Sequence, residues 1–366
     1  MRLRRCSFGV LFFAASLHAQ IVTRADDGKT FILQEEDDSL VSTSLASDRG
    51  YTNGTRLLWR WQPASETRLG RIADALCGHH PVLCESHVTA GLGQNMYTPE
   101  NLRVRVPIRG DRPYGGWLYG TLMLDTERES TVDHLELYAG VIGRDSHADD
   151  AQIFVHKHVT PAAPDPLGWP NQIGEWAAGL VRYDRRLRLL PRRVDEGRPV
   201  WFDLTPALGG SLGNVFIDGH ATLTARLGYR LPAQFIEPIV STPLSLQVPG
   251  LLDGRGLGPA AAATPEARRS AQSSRPPWDA YVYVSGTMSY VGRNVFIDAE
   301  DERYRIERRN TLREHRAGVA VRFHGFRFAY QYTHVSPEFR PLIPRIAQPQ
   351  RAHSYGMVMI SVGPDA

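Results

Sequence analysis

The sequence contains few cysteines, no excess of charge of one sign and no apolar run long enough for a membrane-spanning helix. Its 366 residues include 3 cysteines, and 42 basic side chains stand against 39 acidic ones. A net charge this close to zero gives no support for a nucleic-acid partner. No stretch approaches the roughly 20 consecutive apolar residues that a spanning helix needs. Helical membrane proteins are therefore excluded.

The N-terminus has the composition of a secretory signal. Three arginines precede the apolar stretch 8–17, which is followed closely by the small residue Ala19. This order of charged, apolar and small residues is typical of a signal that is cleaved after residue 19. We therefore predict a signal peptide over residues 1–19 and one exported domain over residues 20–366.

Two cysteines remain after removal of this signal, because Cys6 lies within it. Cys77 and Cys84 stand close together in the segment CGHHPVLC. An even pair in an exported chain predicts a disulfide. A metal site that also uses His79 and His80 is the alternative.

Alternation with a period of two recurs along the chain, whereas helical periodicity is scarce. In the clearest stretch, 219–229, Leu223 and Leu227 lie on one face, and Thr224 and Arg226 lie on the other. A soluble sandwich would bury the apolar face, whereas a transmembrane barrel would turn it towards lipid. Alternation alone fits both. Segments of about ten residues, Trp and Tyr near segment ends and an arginine on the polar face favour the barrel.

We predict an all-β fold, an antiparallel up-and-down transmembrane β-barrel of about twelve strands, because an even number lets such a barrel close with both termini on one side. The stretch 238–277 is rich in Pro, Gly, Ala and Ser and predicts a disordered connection, not a second domain. The predicted strands lie near 31–40, 55–61, 87–96, 116–125, 133–142, 174–187, 200–213, 217–231, 278–290, 312–323, 326–334 and 353–362.

The polar, turn-rich motifs fall in odd-numbered connections, which share one rim of an up-and-down barrel. The first connection carries YTNG, the second carries QNMYTPEN and DRPYGG, and the third carries AQIFVHKHV and DPLGWPNQ. A periplasmic N-terminus makes this rim extracellular and places the Cys77/Cys84 loop on the periplasmic side. In DRPYGGW we expect a structural role, with Tyr114 and Trp117 at the membrane interface.

These motifs together resemble the outer-membrane lipid A 3'-O-deacylase family. The resemblance rests on EDDSLVSTSLASDRGYTNG, GQNMYTPEN, DRPYGGWLYG and VIGRDSHADDAQIFVHKHV followed by GWPNQ, and beyond residue 171 it continues only as a strand pattern. It implies a twelve-stranded outer-membrane barrel with a site near the outer rim. It also implies a calcium requirement and hydrolysis of the ester-linked acyl group at the 3' position of lipid A, the lipid part of lipopolysaccharide.

His156 is the candidate general base, because it follows Gln152 in the family's Gln-x-x-x-His pattern. Neutral imidazole accepts a proton near neutral pH without a large change in its affinity for it. A lone loop histidine more often packs or caps. The resemblance is what favours catalysis at this position.

The resemblance assigns the calcium site to the end of the first strand. Asp38 matches the family, Asp37 stands where the family has asparagine, and Thr52 matches the site threonine of the YTNG turn. Carboxylate oxygens are the hard ligands that calcium prefers, and backbone carbonyls near Thr52 and Gly54 would complete the shell. Paired acids at a strand end are also common as solvated surface, and Thr52 also suits a plain turn.

The family uses a lysine in the second odd connection, where this chain has none. Arg103 and Arg105 are the nearest cations. An ammonium and a guanidinium are not interchangeable, so the lysine's role does not transfer to either residue. Both arginines are candidates for binding the phosphates or carboxylates of lipopolysaccharide.

The leading hypothesis is a calcium-dependent lipid A deacylase with His156, Asp38, Asp37 and Thr52 in its site. A phospholipase or lipase using the same site is one alternative. A non-enzymatic barrel, acting as a pore or a structural protein, is another, and a soluble exported β-protein is a third.

Overall fold

The structure of the protein is a computed structural model. It describes residues 29–41, 50–77, 84–128, 130–161, 163–189, 200–229, 278–299, 301–343 and 350–363. The predicted signal peptide and the connection 238–277 lie outside these residues.

Twelve strands form a closed antiparallel barrel in which each strand pairs with its neighbours in sequence and the first pairs with the last. All twelve predicted strands are confirmed. Two further strands, β10 (Ile306–Arg308) and β13 (Phe339–Pro341), pair with each other outside the barrel. The barrel strands are β1 (Thr30–Asp37), β2 (Gly50–Trp61), β3 (Cys84–Thr98), β4 (Gly115–Arg128), β5 (Thr131–Ile142), β6 (Trp176–Leu187), β7 (Val200–Gly213), β8 (Phe216–Tyr229), β9 (Trp278–Asn294), β11 (Thr311–Phe323), β12 (Phe326–Val335) and β14 (His353–Val362).

The apolar face of the barrel wall is exposed and its polar face is buried. In β8, Leu223 and Leu227 are each 49% exposed, whereas Arg226 and His220 on the other face are 1% and 5% exposed. A soluble sandwich would show the reverse. The exposed apolar face is the one that meets lipid in a transmembrane barrel, so the predicted fold class is confirmed.

The lumen is occupied by paired charges. The Nε atom of Arg226 donates to Asp203 Oδ1 at 2.9 Å, and the Nε atom of Arg182 donates to Asp184 Oδ2 at 2.6 Å. His220 bridges Asp184 and Asp218 through its two ring nitrogens, at 2.7 and 2.8 Å. Each of these buried charges therefore has an opposite charge beside it, which offsets part of the cost of burial.

Aromatic rings fill the lumen at the end where the odd connections meet. Phe296, from the connection after β9, stacks on Tyr97 with ring centroids 3.9 Å apart, and the Arg112 guanidinium lies 5.1 Å from the same ring. Trp117 belongs to this cluster and is fully buried. The expectation that Trp117 lies at the membrane interface is therefore wrong, because its side chain takes the lumen-facing position of β4. Arg112 has the expected structural role, since it also pairs with Glu338 at 3.1 Å.

Two helices lie within the connections between barrel strands. The period-two alternation of the sequence had not predicted them. Helix α1 (Arg68–Cys77) lies between β2 and β3, and α2 (Ala148–His158) lies between β5 and β6. Shorter helices, α3 (Val295–Asp298) and α4 (Asp301–Tyr304), follow β9. No helix in the described ranges is both long and apolar enough to cross a membrane.

The described residues include the predicted cysteine pair. Cys77 and Cys84 form a disulfide with their Cα atoms 5.7 Å apart. It joins the last residue of α1 to the first residue of β3, at the end of the barrel opposite the odd connections.

Candidate functional site

The outward face of the barrel changes from apolar to polar at one level on three neighbouring strands. On β1, Leu33 is followed at the next outward position by Glu35. The pairing register sets Glu35 opposite Thr55 of β2, and Thr55 opposite Gln94 of β3. Ionised side chains are costly on the lipid face near mid-bilayer and tolerated near its edge. The apolar belt therefore ends at this level.

At this level and above it lies a group of outward polar side chains, Glu35, Asp37, Asn53 and Thr55, which we name the rim patch. The Asn53 amide donates to Glu35 Oε1 at 2.5 Å and to Asp37 Oδ2 at 3.1 Å. The Thr55 hydroxyl donates to Glu35 Oε2 at 2.6 Å. Glu35 and Asn53 were not among the predicted site residues, although Asn53 belongs to the YTNG motif.

The two predicted acidic ligands take different positions at the end of β1. Asp37 lies on the outward face, and its Oδ1 accepts a hydrogen bond from the Ser39 backbone at 2.7 Å. Asp38 begins the following 3-10 turn and is 3% exposed. Asp37 therefore caps the turn that Asp38 opens, which gives the substituted aspartate a local structural role.

Thr52 lies at a β-bulge. The register between β2 and β3 shifts between Tyr51 and Asn53, so that Thr52 has no opposing residue. Its hydroxyl lies 2.6 Å from that of Thr98. A bulge re-aims the side chain that it carries, and bulges are common next to active sites.

Gly54 lies inside the barrel ladder, between Glu36 and Asn95. A Cβ at this position would lie 1.8 Å from the Tyr51 hydroxyl oxygen, so the close packing of Tyr51 explains the glycine. Its participation in a metal site stays a prediction.

Helix α2 lies on the outer wall, the face of the barrel away from the lumen. It packs on β3 and β4. A Cβ on Gly116 of β4 would come within 2.1 Å of Ser146 Oγ and 2.4 Å of Ala148 Cβ, at the start of the helix. The Gln94 amide donates to the Ser146 carbonyl at 2.6 Å. A glycine on the wall and a glutamine at the edge of the apolar belt thus fix where α2 begins.

The buried face of α2 carries Ala148, Gln152 and His156, spaced by four residues. This spacing places them on one side of an α-helix. The Trp169 indole N–H donates to Gln152 Oε1 at 2.7 Å, and the Trp169 ring packs on Tyr114 at 4.9 Å. The bond turns the carbonyl end of the Gln152 amide towards Trp169. Gln152 was noted only as part of the motif, and its spacing from His156 was the available signal.

His156 is held by a backbone carbonyl. Its Nδ1 lies 2.7 Å from the Pro164 oxygen. A carbonyl oxygen only accepts, so Nδ1 carries a proton and Nε2 is the basic nitrogen of the neutral ring. The ring also lies in the last turn of α2, where the helix dipole stabilises positive charge. Nearby His158 is exposed, and its Nδ1 lies 3.0 Å from the Phe154 carbonyl oxygen.

Arg103 and Arg105 are exposed in the connection between β3 and β4. The Arg105 carbonyl accepts a hydrogen bond from the Asn171 amide at 2.5 Å, and the Leu167 N–H donates to the Leu102 carbonyl at 2.8 Å. The segment with the two arginines is thus tied to the segment that follows α2. Their guanidinium groups face solvent beside it.

The donor chemistry near the rim patch suits calcium, because Asp37, Asp38 and Thr52 offer only oxygen atoms. No group of three or more His, Cys, Asp or Glu side chains within the described ranges is arranged to hold a metal ion. Asp37 ends β1, Asp38 follows it directly, and α2 packs on β3 and β4. Two strand spacings, about 10 Å, separate β1 from β3. The predicted residues thus lie on or beside contiguous strands at one end of the barrel.

Comparison with known proteins gives the family. The family model for outer membrane protein LpxR matches residues 7–363. LpxR from Salmonella typhimurium has a TM-score of 0.67 and 18% identity, covering 91% of this chain and 99% of its own. The β domain of the Bordetella autotransporter BrkA has a TM-score of 0.41 and 7% identity, covering 92% of this chain and 98% of its own. No curated protein matches in sequence. Since the family model spans nearly the whole chain, the protein belongs to the LpxR family of outer membrane proteins, as its motifs had predicted.

Proposed function

We propose that the protein is a calcium-dependent lipid A deacylase that hydrolyses the ester-linked acyl group at the 3' position. Membership of the LpxR family supports an outer-membrane enzyme that modifies lipid A. The observation that carries the finer proposal is the Nδ1 bond of His156 to Pro164, which leaves Nε2 as a base on the lipid-facing wall.

The helix that carries His156 starts at the height of a lipid ester. It begins at Ala148, close to Ser146, whose carbonyl accepts a hydrogen bond from Gln94 at the level where the outward face of the wall turns from apolar to polar. Ester groups of a lipid lie at this boundary, between the acyl chains and the headgroup. A lipid in the outer leaflet would therefore reach the helix that carries the base without leaving the membrane.

Hydrolysis uses one water molecule. Nε2 of His156 accepts a proton from the water as its oxygen attacks the ester carbonyl carbon, and negative charge develops on the carbonyl oxygen. The imidazolium then returns the proton to the sugar oxygen as the ester bond breaks, giving a free fatty acid and a 3' hydroxyl. The NH2 end of the Gln152 amide, which the Trp169 bond turns away from Trp169, is a donor for the developing oxyanion.

Asp37, Asp38 and Thr52 are the residues that would hold calcium. Calcium, when bound, supplies positive charge that polarises the ester carbonyl. Arg103 and Arg105 are the candidates for the phosphate of the sugar headgroup, because both are exposed on a segment tied to the one that follows α2.

A pore is less well supported than an enzyme. Arg56, Arg182 and Arg226 are each at most 1% exposed in the lumen, and Phe296 stacks on Tyr97 at one mouth. Side chains packed in this way leave little room for a solute to pass through the lumen. A pore would also not explain the polar groups of the rim patch and of α2, which lie on the outer wall.

The test is mass spectrometry of lipid A after incubation with the protein in detergent and calcium. The wild-type protein should release one acyl chain, and His156→Ala should lower the rate by at least about 100-fold, the usual contribution of a general base. His158→Ala, on the exposed side of the same helix, is the matched control and should keep full activity. A chelator should abolish release and added calcium should restore it. Lipid A that stays intact with the wild-type protein would contradict the proposal.

A phospholipase is the second candidate, since glycerophospholipid esters lie at the same depth in a leaflet. Presenting phosphatidylethanolamine and lipid A in one reaction separates the two. Release of acyl chains from the phospholipid alone would replace the deacylase with this alternative.

A further inference from the structure

Helix α1 and the Cys77–Cys84 disulfide have no part in the proposed chemistry, yet both are firmly attached to the barrel. The disulfide ties Cys77, the last residue of α1, to the start of β3. The Arg128 guanidinium at the end of β4 donates to the Leu76 carbonyl at 2.5 Å. At the other end of α1, the Gly70 N–H donates to the Thr67 hydroxyl at 3.0 Å, which caps the helix. Both ends of α1 are therefore fixed.

Helix α1 lies on the outer wall of β3 and β4, the same two strands that carry α2. Side chains on the outward face of this wall are exposed in mid-strand, as Leu92 is at 59%. Val88 and Thr126 also take outward positions, near the opposite end of the barrel from the rim patch, but they are only 1% and 2% exposed. Since α1 packs on these strands, we attribute their burial to the helix.

The exposed surface of α1 has an apolar side and a charged side. Gly70, Ala73 and Cys77 face the wall. Beside them, Ile72 and Leu76 are 51% and 47% exposed. The remaining exposed side carries charged residues, namely Arg68, Arg71 and Asp74. A soluble surface would leave two large apolar side chains in water, whereas a membrane interface suits both sides of the helix.

The height of α1 agrees with such an interface. The Cys77 sulfur lies 3.2 Å from the hydroxyl of Ser86, beneath the helix, and Gln94 marks the opposite edge of the apolar belt. The eight residue-to-residue steps from Ser86 to Gln94 on β3 span about 27 Å along the strand. With the usual strand tilt this is about 20 Å along the membrane normal, close to the roughly 25 Å height of an apolar belt. Helix α1 thus lies at the far edge of the belt.

We propose that α1 is a membrane-surface helix that binds phospholipid in the leaflet opposite the rim patch. Ile72 and Leu76 insert among the acyl chains, and Arg68 and Arg71 meet the headgroup phosphates. The apolar side of α1 continues the lipid-facing belt of β3 and β4, and its arginines complement an anionic surface. The proposal needs the outer-membrane location and not the deacylase chemistry.

Nitroxide labels on the full chain test this placement. Ile72→Cys is labelled in purified protein reconstituted into vesicles of phosphatidylethanolamine with a minor share of phosphatidylglycerol. Asp74→Cys, on the charged side of the same helix, is the matched control. Leu92→Cys provides the lipid reference, and Val106→Cys, in an exposed connection, provides the water reference. Heat-modifiable gel mobility and the mass of the disulfide-linked peptide verify that each variant has the native fold and the native cysteine pair.

We expect the ratio of oxygen to nickel-chelate collisions to be several-fold higher at residue 72 than at residue 74, and close to that at residue 92. A ratio at residue 72 equal to that at residue 106 would overturn the proposal, because it would place the apolar side in water. Low collision rates with both reagents would also overturn it, since they would show a second copy of the chain covering the helix. Omitting phosphatidylglycerol should lower the ratio at residue 72, and Arg68→Gln with Arg71→Gln should remove that dependence. No dependence in the unsubstituted helix would contradict the headgroup contact.

Discussion

Helices α1 and α2 lie on the same two strands, at opposite edges of the apolar belt, and bury very different faces. Helix α1 buries Gly70, Ala73 and the disulfide-bonded Cys77. Helix α2 buries Gln152 and His156, each held by a directed hydrogen bond. Small apolar residues need only close contact with the wall. A buried amide and a buried imidazole need partners of defined geometry, and here Trp169 and Pro164 supply them.

Among the changes that test this comparison, the largest loss of deacylase activity is expected when α2 is displaced from the barrel wall. In Gly116→Val the new side chain would meet Ser146 and Ala148, which already lie within 2.4 Å of an added Cβ. The helix would have to move, and a displacement of about 1 Å costs on the order of 100-fold in rate. Acyl release from lipid A should fall by about that factor, while heat-modifiable mobility stays native.

Gly120→Val is the matched control for this change. Gly120 faces the same side of β4, but an added Cβ there meets nothing closer than 3.8 Å. It should retain full activity. Equal losses in the two variants would show that the wall, and not the position of α2, controls the rate.

A smaller effect is expected from the indole that orients Gln152. Trp169→Phe keeps a ring beside Tyr114 and removes the N–H that donates to the amide. One neutral hydrogen bond contributes about 1 kcal/mol, which corresponds to a five- to tenfold loss in kcat with KM unchanged. Tyr114→Phe removes a hydroxyl that donates to Leu102 instead, and serves as the control. A rise in KM alone for Trp169→Phe would assign Trp169 to substrate binding.

The difference between the barrel strands and the two helices also explains which elements could be predicted from the sequence. Strands β7 and β14 agree with prediction to the residue. In β7, outward apolar residues alternate with buried residues on a two-faced wall from Phe202 to Leu208. Helix α2 escaped prediction because its buried face carries an amide and an imidazole in place of an apolar stripe. In α1 the apolar spacing of Leu69, Ile72 and Leu76 is present in the sequence, but it extends over little more than two turns between strands with period-two alternation.

For the candidate site, the sequence indicated residue types and not their geometry. The motif named His156, but the carbonyl that fixes its basic nitrogen belongs to Pro164, in a segment without regular structure. The outward polar group around Asp37 depends on the register of β1 with β2, which places Asn53 opposite it. Contacts of this kind arise from tertiary pairing and leave no local pattern.

Removing the disulfide should affect stability and leave catalysis intact. Replacing Cys77 and Cys84 by serine frees the end of α1 and should lower the free energy of unfolding by about 2 kcal/mol, as expected for a short closed loop. Since α1 lies about 27 Å along the strands from the level of Gln94, acyl release should stay within about twofold of wild type. Urea unfolding in detergent gives the first quantity and the lipid A assay the second. A loss of activity as large as that of His156→Ala would show that the two helices are coupled through the wall.

The smallest expected effect is a change in the pKa of His147, and it arises from a difference in how the N-termini of the two helices are capped. The Thr67 hydroxyl caps α1, whereas the residue before α2, His147, has φ 52° and no side-chain capping bond. Instead its Nδ1 lies 3.0 Å from Asp150 Oδ2, and this hydrogen bond raises the pKa of the exposed His147 ring. Asp150→Asn removes the charged acceptor, so the pKa of His147 should fall towards its ordinary value, as an NMR titration of the ring would measure.

Because the pKa of His147 is raised in the folded protein, protonation of this ring favours the start of α2 at low pH and ceases to do so as pH rises through that pKa. His147 is fully exposed, so the contribution is small, and the pH profile of acyl release should be the same in Asp150→Asn as in wild type. A profile that shifts together with the His147 titration would mean that the charge at the start of α2 reaches the base near its end. The rigid docking through Gly116 and Gln94 would then be an incomplete account of how His156 is positioned.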